Sequence, residues 1–306
     1  MSVGLNGRAD WIAVDWGTSR LRAWAMSEAG AVLGEAVSEL GMGKLARGEF
    51  EPTLLTLIAP WLDRPAVPVL ACGMVGARQG WREVPYVPVP TQPRALQPHA
   101  VTGTAASIRL AILPGLSQEK PADVMRGEET QIAGFLVAQP DFDGVICLPG
   151  THSKWVRVSA GEVVSFQTFM SGELFSLLSQ SSVLQHSIAQ QGRDEAAFSE
   201  AVAETLSRPE RVAHALFGIR ADAVLNNLDP VTARSRLSGL LIGAELAASR
   251  PYWLGQDVAV IGAEDLTETY AAALSSQGLA PSQHDGSAIA RLGLAAVYAT
   301  LSETAS

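Results

Sequence analysis

Cysteine is scarce in this chain of 306 residues: only Cys72 and Cys147 occur, and they form no CxxC pair. Both lie in apolar stretches, VLACG and VICLPG, so they read as buried free thiols, which excludes a disulfide framework and fits a reducing compartment. No run of about 18 apolar residues is present, and MSVGLNGRADW lacks the apolar core of a signal peptide, so a soluble cytoplasmic protein with no membrane partner is expected. Basic residues are outnumbered, 22 Lys and Arg against 31 Asp and Glu, for a net charge of -9. A broad phosphate-backbone face needs clustered cations, so nucleic acid is not an expected partner. The five histidines, at 99, 152, 186, 214 and 284, have no metal-ligand spacing, and only His152 falls in a candidate loop. HExxH, GxSxG and a G-x-G-x-x-G after a strand are also lacking. Gly41-Met42-Gly43-Lys44-Leu45 imitates a Walker A loop, yet Ser38 stands where its first glycine belongs and Leu45 where its hydroxyl belongs.

What is present is apolar and periodic. With 47% hydrophobic residues and this length, two domains are expected rather than one core. Trp11 to Trp16, Arg20 to Met26 and Ala31 to Val37 read as a three-stranded meander, Glu51 to Trp61 as a helix and Val67 to Cys72 as a buried strand. From Gly73 to Pro98 the density of Gly and Pro excludes a regular helix, and two arginines, Trp81 and Tyr86 favour a functional irregular segment. Val145 to Leu148, Lys154 to Val158 and Val163 to Thr168 repeat the opening pattern of strand, Gly-Thr turn, strand, turn, strand. The rest is mainly helical: Ser207-Arg208-Pro209-Glu210 has the form of a capping box, and Asp229-Pro230 that of an N-cap for a helix to about Ser249. A strand at Val258 to Ile261, a break at Gly262, and helices at Asp265 to Gln277 and Ser287 to Leu301 complete the chain.

The two Gly-Thr turns, DWGTSR and LPGTHS, suit phosphate, because glycine lets backbone N–H groups approach an anion and hydroxyls add donors. They differ at one telling place. Asp15 falls opposite Leu148, so the first copy alone carries a hard carboxylate of the kind Mg²⁺ uses beside a polyphosphate. Ahead of the second turn, Met125-Arg126-Gly127-Glu128-Glu129 starts an apolar helix. Adjacent acids there complement a helix dipole, and a carboxylate beside a phosphate also serves as a general base, worth on the order of 10² to 10⁴ in rate.

WIAVDWGTSRLRAW, ACGMVGARQGWREVPYVPVP, DVMRGEETQIAGF, LPGTHSKWV, FMSGELFSLLSQSSVL, LSGLLIGAEL and VIGAEDLTETYAAAL follow one another along nearly the whole chain. In these motifs the sequence resembles the 2-dehydro-3-deoxygalactonokinases, within the superfamily of sugar kinases, actin and heat-shock ATPases. The resemblance implies an α/β fold with two ribonuclease-H-like or actin-like ATPase domains around a central ATP cleft. The expected domains are 1–138, with the first phosphate hairpin and the sugar-acid site, and 139–306, with the second hairpin and the adenosine loop; the final helix, 287–301, is free to pack back on the first domain.

The same resemblance implies ATP and Mg²⁺ as cofactors and phosphorylation of the 6-hydroxyl of 2-dehydro-3-deoxy-D-galactonate, a step of D-galactonate degradation. Asp15 would lie at the metal; Gly17, Thr18, Ser19 and Arg20 at one side of the phosphates; Gly150, Thr151, His152 and Lys154 at the other; Gly262 and Ala263 at the adenosine. The family base is an aspartate after glycine at a helix start. Here Glu128 takes that position and Glu129 follows as its rival. Arg20 or Lys154 would offset developing charge. For the substrate carboxylate an acidic protein needs a local cation, and Lys44, Arg78 and Arg82 are candidates, with Trp81 against the sugar chain. A homodimer is compatible with this reading. Kinases for 2-dehydro-3-deoxygluconate or a neutral sugar, an actin-like filament protein and an idle sugar sensor are the alternatives.

Overall fold

The structure is a computed structural model that describes residues 8–304. These divide into two compact units.

In the first unit β1 (Trp11–Trp16), β2 (Leu21–Met26) and β3 (Val32–Ser38) make an antiparallel meander. Helix α1 (Phe50–Ile58) then returns the chain so that β4 (Val67–Gly73) pairs parallel with β1. Apart from Asp15, the one carboxylate in β1, β1 and β4 are apolar, and both are almost wholly buried, as central strands covered on both faces must be. The segment after β4 is irregular, with short turns at Met74–Gly76 and Pro93–Ala95 and a two-residue β5 (Val87–Pro88). β6 (His99–Ala100) and β7 (Ile108–Ile112) complete a sheet in the order β3-β2-β1-β4-β7-β6. β8 (Leu116–Gln118) and β9 (Asp123–Met125) join β5 in a small separate sheet that delivers the chain to α2 (Glu128–Ala138).

The second unit contains β10 (Gly144–Leu148), β11 (Ser153–Ser159) and β12 (Glu162–Phe169), then α3 (Ser171–Ser181), α4 (Glu195–Ser207), α5 (Val212–Leu225), α6 (Pro230–Ala248) and the short α7 (Arg250–Trp253). β13 (Val258–Gly262), α8 (Glu264–Ser275) and β14 (Ser282–Asp285) follow. Its sheet order is β12-β11-β10-β13-β14, with β10 antiparallel to β11 and parallel to β13. Both units therefore repeat one scheme, a meander whose first strand is joined by parallel strands on its other side. This is the ribonuclease-H-like, actin-like α/β arrangement.

The last helix, α9 (Gly286–Thr304), belongs to the first unit, as do residues 159–165 and the chain through Phe142. The second unit thus ends at Asp285 rather than running to the C-terminus, and the units part after Phe142 rather than at residue 138. The reason is packing. Tyr298 stacks on Trp11 of β1 with ring centroids 4.1 Å apart, and α9 crosses α2 at a pair of glycines. A Cβ on Gly134 would collide with the carbonyl of Ile289, and one on Gly293 with that of Thr130, so only the glycines let the helix axes approach this closely. The helix that carries Glu128 and Glu129 is held by this crossing.

Asp229 caps α6 as its sequence suggests, its Oδ2 accepting the N–H groups of Val231 and Thr232, both at 3.0 Å. The expected capping box at Ser207 does not form. Ser207 is the last residue of α4, its hydroxyl donates back to the Glu204 carbonyl at 3.0 Å, and α5 begins at Val212 after a single turn from Pro209 to Arg211. Apolar Val202 and Leu206 keep α4 packed through that point, so the serine is spent inside one helix instead of opening the next.

Candidate active site

Asp15 is the penultimate residue of β1, so its neighbours are fixed by strand register: Arg22 across β2 and Cys72 across β4. Arg22 Nη1 lies 3.4 Å from Asp15 Oδ2, and the Cys72 thiol donates toward Oδ1 at 3.9 Å. Burial raises the Asp15 carboxyl above its ordinary range against the opposing pull of Arg22, and the charge of Glu128 adds to the rise. The side chain still keeps 17% of its surface open.

The turn that follows is braced from below. Gly17 N–H bonds the Arg20 carbonyl at 2.9 Å, while Met42 and Gly43 donate their N–H groups to Gly17 and Thr18 carbonyls at 3.0 and 2.9 Å. The Gly41 to Lys44 stretch, which imitates a Walker loop in sequence, is thus a strap under the first hairpin. Thr18, Ser19 and Arg20 are exposed at its tip. Arg20 is engaged with Glu39, Nε to Oε1 3.2 Å.

At the head of α2, Gly127 has φ 106°, a conformation costly for any residue with a Cβ. This turns both carboxylates back on the loop. Glu128 Oε2 accepts the Arg126 N–H at 3.0 Å, Glu129 Oε2 accepts the Gly127 N–H at 2.6 Å, and Glu129 Oε1 accepts the Thr130 hydroxyl at 2.9 Å. Their environments differ sharply. Glu129 is 0% exposed, and burial, reinforced by the charge of Glu128, pushes its carboxyl up to about 7. Glu128 remains partly exposed. Asp15 and Glu129 in turn reinforce the effect of burial on the Cys72 thiol, which is pushed well up and stays protonated. Of the two glutamates, only Glu128 is open to solvent.

Arg126 is a site residue that sequence reasoning missed. It is 7% exposed, donates from Nη2 to the Val84 carbonyl at 2.7 Å, and lies over the Tyr86 ring at 4.3 Å. Its Nε and Nη1 have no partner, an unusual condition for a buried guanidinium. It ties the irregular segment to the loop that carries Glu128 and Glu129. Its place directly before Gly127 was the only sequence signal available.

The residues expected at the sugar acid do not converge. Trp81 packs edge-on against Trp16, centroids 6.4 Å apart, and with Arg82, Arg47 and Thr102 lines one cavity. Lys44 lines another, with Leu40, Glu49 and Thr56. Arg78 is exposed, and its carbonyl accepts a bond from Arg47 Nη2 at 3.1 Å.

In the second unit Thr151 and His152 are exposed at the tip of their hairpin, and Gly150 is partly so. His152 Nε2 meets Glu173 Oε2 at 2.6 Å, and the Glu173 N–H bonds the Thr151 carbonyl at 2.9 Å, so α3 anchors the turn. Lys154 is buried, with Nζ donating to the His152 carbonyl at 3.2 Å; it braces its own hairpin. Beside this turn is a cavity of about 310 Å³, walled by Thr151, Ser171, Phe175, Leu241 and Tyr270 among others. Gly262 lines a different depression, with Glu268 and His284, and Ala263 is the N-cap of α8, so the cavity beside the hairpin takes its α8 side chains from later in the helix than those two.

Under the cavity lies a buried polar network. Glu245 of α6 accepts Trp155 Nε1 at 2.8 Å, the Tyr270 hydroxyl at 2.9 Å and the Ser171 hydroxyl, while Tyr270 also meets Ser153 Oγ at 2.8 Å. Burial raises the Glu245 carboxyl, and these donors oppose the rise. One side chain therefore joins β11, α3, α6 and α8.

Among the described residues no group of three or more His, Cys, Asp or Glu forms a metal cage. Mg²⁺ held mainly by phosphate and water needs only one or two protein carboxylates, and Asp15, whose carboxyl responds to the charge of Glu128, is of the type that would supply one.

A profile described as DGOK, 2-keto-3-deoxy-galactonokinase, matches residues 15–297. The chain belongs to this family. A Rhizobium meliloti (strain 1021) relative, "Probable 2-dehydro-3-deoxygalactonokinase DgoK1", is 38% identical over 292 residues, 94% of this chain and 95% of the relative. The 2-dehydro-3-deoxygalactonokinase of Escherichia coli (strain K12) is 33% identical over 273 residues, 88% of this chain and 91% of that one. A crystal structure of a Sinorhizobium meliloti protein carrying the same assignment superposes with TM-score 0.89 at 37% identity, covering 95% of this chain and 99% of the other. Family membership makes the chain a sugar-acid kinase. Among the described residues no helix is long and apolar enough to cross a membrane.

Proposed function

We propose that this kinase transfers the γ-phosphoryl group of ATP to the 6-hydroxyl of 2-dehydro-3-deoxy-D-galactonate, in the cytoplasm, as a step of D-galactonate degradation. The observation that carries the reading is the contrast at the head of α2, where Glu128 is open and Glu129 is sealed while Asp15 lies near enough for its carboxyl to respond to the charge of Glu128. Glu128 is the general base, drawing the proton from the 6-hydroxyl as its oxygen attacks. Glu129 stays behind it as a positioning residue.

Phosphoryl transfer asks the protein mostly for alignment and charge neutralisation. Gly17, Thr18 and Ser19 offer N–H and hydroxyl donors to the phosphates from the first unit, and Gly150, Thr151 and His152 from the second. Mg²⁺ bound with ATP would neutralise phosphate charge, with Asp15 as its protein carboxylate. Arg22 holds Asp15 in place through their ion pair. The cavity beside the second hairpin takes the nucleoside. Arg82 with Trp81 and Arg47 form the best-supported carboxylate site, because these three share one cavity with the Thr102 hydroxyl.

A coupled ADP-release assay across a panel of sugar acids tests the reading. Turnover confined to 2-dehydro-3-deoxy-D-galactonate, with the 6-phosphate as product, is expected; equal or better turnover of the C4 epimer would reassign the substrate.

A further inference from the structure

The cavity beside the second hairpin is the proposed nucleoside site, and its lining bears on which base it would take. Beyond the hairpin and the first two residues of α3, Ser171 and Gly172, its walls come from within three helices: Phe175 and Ser176 in α3, Ser238 and Leu241 in α6, Leu266 and Thr269 in α8. Backbone N–H and C=O groups inside a helix are consumed by the helix itself, so only side chains are left to read a ligand there.

Three of the wall hydroxyls are already committed, that of Ser171 to Glu245. Thr269 donates to the Asp265 carbonyl at 2.6 Å and accepts from Arg193 Nη1 at 2.8 Å, and Tyr270 is bound between Ser153 and Glu245. What faces a base is hydrocarbon, from Phe175, Ile242 and Leu266, and the hydroxyls of Ser176 and Ser238. A hydroxyl rotates to donate or accept with equal ease. The purine 6-position presents a donor when amino and an acceptor when oxo. An amide or a charged group would separate the two, and a wall of hydroxyls and hydrocarbon does not.

We propose that the cavity accepts 6-oxo and 6-amino purines alike, so that GTP and ITP serve as phosphoryl donors beside ATP. The proposal rests on the reading that this cavity holds the donor nucleoside. With each donor the acceptor hydroxyl oxygen bonds the γ-phosphorus as the bond to the β-γ bridging oxygen breaks. The nucleoside diphosphate leaves with that electron pair, and the hydroxyl proton passes to Glu128. Pockets that read hydrogen bonds reject the wrong partner by about 10⁴ or more, whereas apolar walls discriminate by about 10² at most.

The test is competition of ADP, GDP and IDP against a fluorescent ADP analogue on the full chain with Mg²⁺, alongside kcat/KM for ATP, GTP and ITP. Dissociation constants and kcat/KM values within about tenfold of one another are expected. Tight ADP with GDP and IDP weaker by more than that margin would overturn the proposal and leave the kinase reading standing. Failure of every nucleotide to bind, with no turnover, would remove both. Ser238→Trp, checked for native far-UV circular dichroism, should weaken all three diphosphates together; unchanged binding in the folded variant would place the base elsewhere and overturn the proposal.

Discussion

Gly127 and Gly73 meet so closely that a Cβ on Gly127 would lie 3.3 Å from the Cα of Gly73. Both have positive φ, 106° and 90°, and between them they join the end of β4 to the head of α2. The carboxylates of Glu128 and Glu129 are aimed by this junction.

Gly127→Ala is therefore expected to cost about 1–3 kcal/mol of stability from backbone strain. Turnover should fall well beyond what the loss of folded protein explains. Urea denaturation and kcat on the same preparation check this; normal stability and turnover would mean the junction tolerates a side chain.

Glu129 makes stability depend on pH. Its carboxyl titrates near 4.5 when unfolded and at about 7 when folded. Below 4.5 it is protonated in both states, so nothing is lost. Between 4.5 and 7 the unfolded chain releases its proton first, so stability falls as pH rises, and above 7 the deficit is constant at about 3 kcal/mol. Glu129→Gln should remove that slope. Urea midpoints of the two proteins measured from pH 4.5 to 8 decide it, and parallel curves would contradict the buried-carboxyl origin.

The buried network predicts a separate failure. Glu245→Ala strands the donors of Trp155, Tyr270 and Ser171, which should cost about 3 kcal/mol or more and raise KM for ATP while KM for the sugar acid stays near normal. Tyr270→Phe removes one hydroxyl and should cost only about 1 kcal/mol. Equal effects of the two variants would speak against Glu245 as the hub.

Arg126→Lys keeps the charge and loses the planar fork that reaches the Val84 carbonyl and covers Tyr86. KM for the sugar acid should rise about tenfold, by roughly the 1.4 kcal/mol that a tenfold change represents, with KM for ATP unchanged. A shift in the ATP value instead would detach the irregular segment from acceptor binding.

Much of this fold is legible in the sequence because its signals are local. Apolar runs such as WIAVDW and VLACG have no other place than a buried strand, and Asp229-Pro230 caps a helix by its own chemistry. The repeat of hairpins follows from the same short patterns. What escaped depends on distant packing. Nothing in MRGEET says that the arginine will be buried over Tyr86, and nothing in SRPE says that Ser207 will end one helix instead of starting another. The α2 and α9 crossing rests on two single glycines 159 residues apart in number, Gly134 and Gly293, with no pattern linking them. Choice between Glu128 and Glu129 likewise needs burial, which adjacent letters cannot encode.

The most direct measurement is steady-state kinetics of Glu128→Gln with ATP and 2-dehydro-3-deoxy-D-galactonate. A general base at Glu128 predicts kcat lowered by on the order of 10² to 10⁴ with both KM values changed little. Near-normal turnover in Glu128→Gln would contradict that role.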